Sequence, residues 1–172
     1  MARPNKNDYT PYYETYISKV EGQNGIFTLE SQMNSALKLM HDIPVGKGNY
    51  AYAPGKWSIK ELLGHIIDGE RVFAYRALCF ARGETKPLPG FEQDDYVKAG
   101  NFNSRNLSDL IKEFEVVRTA SITLFKSFDE AAFNRRGLAN GKELSVLAIL
   151  FIICGHASHH FDILKERYLS KS

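Results

Sequence analysis

Two histidines near the end of the chain stand at a spacing that suits metal binding. His156 and His160 lie in the stretch 146-VLAILFIICGHASHHFDILKERYL-169, whose apolar pattern predicts a helix. Residues four apart share one face of a helix, so both imidazoles should leave the same side and can bind one cation. Two ligands do not complete a site, and a third has to come from elsewhere in the chain.

His65 is the candidate for that third ligand. It lies in 50-YAYAPGKWSIKELLGHIIDGERVFAYRALCFARG-83, where Ser58 and Glu61 have the spacing of a helix capping box. On a helical wheel His65 falls at the margin of the apolar stripe, beside the crevice that this helix should form with its neighbours. The sequence therefore predicts a metal site formed by His65, His156 and His160.

The two remaining histidines are predicted to lie outside this site. His159 points roughly 100° away from His160 on the wheel, which favours solvent or a supporting role. His41 falls at the end of an earlier predicted helix and should be a surface residue.

Three imidazole ligands favour a transition metal such as zinc, nickel, copper or iron. Three protein ligands with an open further position are typical of a catalytic site, where the metal lowers the pKa of water, polarises a carbonyl or binds a thiolate. The alternative is a closed site that only joins two helices. The HExxH motif of zinc proteases is absent, because Ala157, Ser158 and His159 separate the two histidines.

Three charged residues near His65 are candidates for a catalytic role. Asp68 follows His65 by one turn and could orient its ring. Glu70 lies near the centre of the apolar stripe, where a carboxylate is costly unless it is paired; it is either catalytic or part of an ion pair with an arginine. Arg76 lies on the His65 side and could pair with Glu70 or hold an anionic substrate.

Helical spacing predicts an all-α protein, with four long helices packed as a bundle. The predicted helices cover about 26–43, Ser58 to about 83, 107–133 and 146–169. The long connection 83–105 is either a functional loop or a crossover, and its Asp94 and Asp95 could approach the site. The segment 134–145 holds the turn signal Asn140-Gly141 and should form a hairpin-like excursion.

Length and composition suit one soluble domain over residues 1–172. The net charge of +2 comes from 22 basic and 20 acidic residues spread along the chain, which does not favour nucleic acid as a partner. Cys79 and Cys154 lie in apolar helical patterns, so we expect no disulfide and a cytoplasmic location. The start lacks the apolar region of a signal peptide. The longest apolar run, 146–154, is too short to span a bilayer, so we expect no membrane partner.

With these residues in hand, the chain resembles the DinB-like superfamily, and within it the YfiT-like metal-dependent hydrolases. The resemblance extends from YYETYI near the start to HHFDILKERYL near the end. Its most specific stretches are 53-APGKWSIKELLGHIIDGERVFAYRALCFARGE-84, PLPGF at 87–91, the NF at 101–102 and 155-GHASHHFDILKERYL-169.

The resemblance implies a four-helix bundle with a long crossover between helices two and three. It also implies that His65 in the GH motif and His156 and His160 in the HxxxH motif bind a divalent metal, with zinc or nickel expected. Relatives are often dimers, so a homodimer is expected. Some use low-molecular-weight thiols such as bacillithiol or mycothiol in S-transfer, whereas others are called hydrolases.

Two functions therefore remain open at this point. In the first, the metal site activates water or a thiol, and the protein is a small-molecule hydrolase or a thiol S-transferase. In the second, the protein is a non-catalytic, metal-stabilised bundle that acts by binding or in a stress response.

Overall fold

The computed structural model describes residues 3–170, and its helices and strands match most of the predicted boundaries. In chain order the α-helices are Glu14–Ile17 (α1), Gly25–His41 (α2), Ile59–Ala81 (α3), Gln93–Gly100 (α4), Leu107–Lys126 (α5), Glu130–Asn134 (α6) and Val146–Ile163 (α7). Two short strands, Arg136–Ala139 (β1) and Lys142–Ser145 (β2), form an antiparallel hairpin. The four long helices α2, α3, α5 and α7 pack into a bundle, with α2 and α3 each contacting both α5 and α7.

Polar side chains just before the long helices fix where these helices begin. The Ser58 hydroxyl accepts a hydrogen bond from the Glu61 amide at 3.1 Å, and the Glu61 carboxylate accepts one from the Ser58 amide at 2.7 Å. This is the predicted capping box of α3. Asn24 caps α2 and Ser145 caps α7 in the same way, each accepting a bond from a first-turn amide.

Helix α7 is the core of the bundle. Nearly every side chain from Val146 to Ala157 is buried, so the helix is enclosed by its neighbours along this length. Helix α7 continues into a π-helical segment, Leu164–Leu169. By length and composition the combined stretch Val146–Leu169 is the one helical stretch of the described residues that is long and apolar enough to cross a membrane, whereas the expectation from the sequence rested only on its apolar run 146–154. In the fold, 72% of its most apolar stretch is buried inside the protein. The apolar side chains therefore pack in the core of the bundle.

The connection between α3 and α5 contains more structure than its sequence pattern predicts. Helix α4 and a 3-10 turn at Phe102–Ser104 occupy its second half. Phe102 is buried against α3, where a β-carbon built on Gly64 would come within 2.4 Å of the phenyl ring. The contact of Phe102 with a glycine of another helix stabilises this segment. The spacing of apolar residues within the segment does not predict such a contact.

The single helix predicted over 107–133 is wrong in one respect, because α5 ends at Lys126 and α6 starts afresh at Glu130. The Asp129 carboxylate accepts a hydrogen bond from the Ala132 amide at 2.8 Å and so caps a new helix. The hairpin that follows has its turn at Asn140 and Gly141, as the sequence predicts, and both residues have positive φ.

Candidate metal centre

Helix α7 places His156 and His160 on one face, one turn apart, with ring centroids separated by 4.5 Å. Both side chains are buried, at 5% and 8% exposure. The helix is held at its first turn by Ser145, whose hydroxyl accepts a hydrogen bond from the Ala148 amide at 3.0 Å. The HxxxH spacing therefore brings both rings to the same point between helices, as predicted.

Helix α3 supplies the third ring. His65 is 4% exposed, and its Nε2 lies 3.0 Å from His156 Nε2 and 3.1 Å from His160 Nε2. Within residues 3–170, this is the only cluster of three metal-ligating side chains with convergent atoms. The structure thus brings together the three histidines that the sequence singles out.

These distances suit a bound cation better than a hydrogen-bonded cluster. A neutral imidazole nitrogen carries either one proton or one lone pair, so His65 Nε2 cannot make a full hydrogen bond with each of its two neighbours. Nitrogens that share one transition metal, each about 2.0–2.1 Å from it, lie at comparable separations. The donor set of three imidazoles therefore fits a divalent transition metal.

Burial keeps the three rings in the form that binds metals. Desolvation lowers the pKa of His65 to about 4 and that of His160 to about 3. The pKa of the buried His156 is also lowered well below its usual value, by desolvation and by the neighbouring histidines. The imidazoles are therefore neutral near pH 7, with lone pairs available for a metal.

Aromatic rings and a glycine fix the positions of these imidazoles. The Trp57 ring lies 4.8 Å from the His65 ring, and Tyr16 packs edge-on against His156 at 5.3 Å. On α3, a β-carbon at Gly69 would come within 2.9 Å of His156 Cε1, so only glycine lets the ring approach this closely. The Nδ1 of His160 is buried and has no hydrogen-bond partner among the described residues.

Two cavities reach the histidines from different sides. The first, of about 310 Å³, is bordered by His65 and His156 and extends to Arg76. The second, of about 320 Å³, is bordered by His160 and by Trp57. Asp94, on α4, borders both cavities. The cluster is therefore reachable by small molecules from two directions, even though each ring is buried.

His159 and His41 are not among the three converging histidines, although the His159 ring packs edge-on against His160 with ring centroids 5.0 Å apart. His159 is half-buried and packs against Tyr16, with ring centroids 5.8 Å apart. His41 is exposed at the end of α2. Both positions agree with the wheel-based interpretation.

Asp68 pairs with an arginine and not with the His65 ring that it is predicted to orient. Its carboxylate lies 3.6 Å from Arg71 Nη1. Arg71 also pairs with Glu113 of α5, and Glu113 pairs with Arg105, which precedes that helix, so the four residues form a half-exposed network. Burial raises the pKa of Asp68, while Arg71 lowers it. Asp68 has no hydrogen bond to His65, so nothing in its contacts supports the predicted orienting role.

Glu70 forms a buried ion pair with Arg118 of α5. Arg118 Nε donates to the Glu70 carboxylate oxygens at 2.9 and 3.0 Å, and its Nη2 donates at 2.8 Å. Arg118 Nη1 donates to Gln32 Oε1 at 2.7 Å, and Gln32 Nε2 donates to Ser158 Oγ at 2.9 Å. The network joins α3, α5, α2 and α7, which matches the ion-pair alternative considered for Glu70.

Arg76 is brought into the first cavity together with His65 and His156. It is 3% exposed, and its Nη2 donates a hydrogen bond to the Pro89 carbonyl at 2.9 Å. Of the three charged candidates, Arg76 is the one that borders a cavity containing the histidines.

Several residues of the site carry no local signal in the sequence. Trp57, Tyr16 and Gly69 touch the imidazoles, and Arg118 neutralises Glu70. The sequence signals the need for Arg118 alone among them, because a carboxylate such as Glu70 within an apolar stripe requires a cationic partner. The others are set by helix packing over long sequence separations.

Comparison with known proteins identifies the fold. The sequence profile of the DinB superfamily matches residues 28–164. Among solved structures, YfiT from Bacillus subtilis, described as a probable metal-dependent hydrolase with an unusual four-helix bundle topology, superposes with a TM-score of 0.71. It is 12% identical and the match covers 99% of this chain and 94% of that one. No functionally curated protein matches the sequence at a significant level.

A second solved structure, a mycothiol-dependent maleylpyruvate isomerase, superposes with a TM-score of 0.68 at 12% identity. The match covers 80% of this chain and 58% of the isomerase. At this level of identity both likenesses concern the fold, which is a four-helix bundle of the YfiT type.

Proposed function

This chain belongs to the DinB superfamily, and we propose that it is an enzyme in which a divalent metal held by His65, His156 and His160 activates water or a thiol. The observation that carries the proposal is the convergence of three neutral, buried Nε2 atoms, 3.0 and 3.1 Å apart, where two cavities meet. A structural metal needs no such access, whereas a reaction does.

A bound transition metal would supply Lewis acidity and lower the pKa of a coordinated nucleophile. The chain itself holds its ligands neutral by burial and orients them by packing against Trp57, Tyr16 and Gly69. Zinc or nickel is proposed, because both bind well to imidazole.

We propose that the carboxylate of Asp94 is the proton acceptor. It borders both cavities and lies near enough to His65 to raise that ring's pKa against the larger effect of burial. Glu70 is excluded from this role in the proposal, because its carboxylate is bound on both oxygens by Arg118. A carboxylate at the mouth of a site can take up a proton and exchange it with solvent.

The two cavities favour a thiol as the nucleophile. Water needs no cavity of its own, whereas transfer of a low-molecular-weight thiol to an electrophile needs room for two organic molecules. The first cavity has a buried arginine and the second is lined by Trp57, Tyr52 and Tyr168. We therefore propose thiol-dependent transfer first, and hydrolysis of a small substrate second, in keeping with the description of YfiT.

The test compares metal-free, zinc-loaded and nickel-loaded protein in two assays. One follows conjugation of glutathione, N-acetylcysteine or bacillithiol to an aryl halide electrophile, and the other follows hydrolysis of an activated ester. We expect thiol conjugation that depends on metal and is lost in His156→Ala. Metal-dependent ester hydrolysis without thiol conjugation would favour the hydrolase instead.

The non-catalytic alternative predicts a different pattern. In that case metal raises the free energy of unfolding, but neither assay shows turnover above that of metal-free protein. The cavities that reach the histidines argue against this alternative, because a metal that only joins helices is normally enclosed by its ligands.

We also propose a cytoplasmic location and a homodimer. Cys79 and Cys154 are both free thiols, as suits a reducing compartment. Sedimentation equilibrium of the purified protein tests the oligomeric state directly.

A further inference from the structure

Arg76 is a buried positive charge with no acidic partner. The side chain is 3% exposed, and no carboxylate of residues 3–170 forms an ion pair with it. Arginine stays charged in proteins, and a buried charge without a counterion is costly by several kcal/mol. The other fully buried guanidinium, that of Arg118, has Glu70 as its counterion.

The Arg76 guanidinium is held in place but is not saturated. It lies over the rings of Phe73 and Phe91, with Cζ 5.5 and 5.9 Å from the two centroids. Among the described residues its one hydrogen-bond acceptor is the carbonyl of Pro89 at 2.9 Å. A guanidinium has five N–H donors, so most of them remain available to a ligand.

The Arg76 side chain lies at the edge of the cavity that reaches the histidines. Arg76 borders it together with His65 and His156. The Phe73 ring lies between the two ends, 5.5 Å from Arg76 Cζ and 6.1 Å from the centroid of the His156 ring. A molecule lying along Phe73 would therefore have one end at the guanidinium and the other near the imidazoles.

The remaining charges around the cavity do not replace a counterion for Arg76. Lys142 adds a second, half-buried cation, which lies over the Tyr12 ring. Glu92 and Asp94 also border the cavity, but both are exposed to solvent and neither forms an ion pair with Arg76. The buried end of the cavity is thus positive.

We propose that Arg76 binds the carboxylate of the substrate, so that the electrophile taken by this site is a small carboxylic acid. A single guanidinium matches a singly charged, planar carboxylate in charge and in fork geometry. The cavity of about 310 Å³ limits the molecule to a small one with an apolar middle section that packs on Phe73. This inference rests on the proposed function, since it names the substrate of the same site.

The first experiment measures anion binding in metal-free protein, so that a metal cannot bind the probe. Butyrate is titrated by NMR chemical-shift perturbation, with butyramide as the neutral molecule of the same shape. We expect butyrate to bind and butyramide not to compete. We expect Arg76→Gln to weaken butyrate binding by about tenfold or more, the value of one charge-assisted hydrogen-bonded contact. Arg82→Gln, which alters an exposed arginine after the same helix, is the control and should bind like the wild type.

A second measurement tells which cavity the probe occupies, since Arg76 also borders an outer cavity of about 290 Å³ beneath Pro89 and Tyr75. Butyrate resonances are recorded with protein loaded with paramagnetic Co²⁺ and with diamagnetic Zn²⁺. Binding along Phe73 predicts strong broadening with Co²⁺ that is lost in Arg76→Gln.

Three results would overturn the inference: equal binding of butyrate and butyramide, unchanged binding in Arg76→Gln, or bound butyrate that Co²⁺ does not broaden. If Arg76→Gln does not fold, Arg76→Lys keeps the charge, and the comparison of the two probes on wild-type protein needs no variant. Protein that prefers butyrate through Arg76 but binds no metal would contradict the proposed function and leave the anion site standing. Protein that binds metal but does not distinguish butyrate from butyramide would contradict the anion site and leave the proposed function standing.

Discussion

Gly69 of α3 lies directly against the His156 ring of α7. A β-carbon at this position would lie only 2.9 Å from Cε1 of the ring. The absence of a side chain at this position lets the two helices bring His156 and His65 within 3.0 Å of one another, Nε2 to Nε2. A backbone position that binds nothing thus determines the geometry of the centre.

Gly69→Ala is expected to weaken metal binding by tenfold or more, because the added methyl displaces the His156 ring. Its effect on stability should be small, since alanine favours a helix over glycine by about 1 kcal/mol, which offsets part of the steric cost. Competitive titration with a chelator measures the affinity, and urea denaturation of metal-free protein measures the stability.

The matched control is Gly64→Ala on the same helix. Its methyl meets Phe102 instead of a histidine, so this variant should lose stability and keep its metal affinity. If both variants lose metal to the same degree, the loss reflects helix distortion and not contact with His156.

His156→Ala should abolish stoichiometric metal binding, and His159→Ala should leave it nearly unchanged. The first ring converges with the other two, whereas the second packs against Tyr16 outside the cluster. Elemental analysis gives the stoichiometry. Trp57, the single tryptophan, lies 4.8 Å from the His65 ring, so nickel binding should also quench its fluorescence. Equal loss of metal in the two variants would contradict the ligand assignment.

Metal-free protein should lose stability as the pH falls below about 6.5. In the unfolded chain the histidines take up protons near that pH, whereas in the folded protein burial keeps the pKa of His65 at about 4 and that of His160 at about 3. Between these values the unfolded state binds more protons, so the free energy of unfolding falls with falling pH and levels off near the folded pKa values.

The expected loss between pH 7.5 and pH 5 is on the order of 1–2 kcal/mol for each buried ring. Urea denaturation at several pH values measures it. The double variant His65→Gln, His160→Gln lacks two of these rings and should show a flatter dependence. A wild-type stability that is constant from pH 7.5 to pH 5 would contradict the assignment of neutral, buried imidazoles.

Glu70→Gln should lower stability by roughly 3–5 kcal/mol, because it leaves the Arg118 charge buried without a counterion. The double variant Glu70→Leu, Arg118→Met removes both charges and should recover part of this loss. Metal stoichiometry should persist in any variant that folds. A fully stable Glu70→Gln protein that has lost activity would instead assign Glu70 a catalytic role.

The cluster of three histidines was predictable because its signals are local. The i,i+4 spacing of His156 and His160 and the capping box of Ser58 and Glu61 fix helix faces and helix starts without knowledge of the tertiary fold. His65 followed from its place at the margin of an apolar stripe. These patterns, with the family resemblance, also predicted the four-helix bundle.

The features that sequence analysis missed depend on contacts between distant segments. Glu70 is paired with Arg118, which lies 48 positions later in the sequence. The packing of α3 on α5 brings these two residues together. Helix α4 has only eight residues and few apolar side chains, so it is marginal by itself. It is followed by Phe102, which is docked on Gly64. Local periodicity contains no information on such partners.

The wide separation of His65 and His156, 91 positions in the sequence, determines when the centre can form during synthesis of the protein. His65 leaves the ribosome long before α7 has been translated, and until then it has no second ring to converge with. Because α7 is also the innermost helix, the proposed metal site can form only when nearly the whole chain has been completed. Under the proposed function, the metal content of newly made protein would therefore measure finished folding, and a truncated or misfolded product would fail to retain the ion.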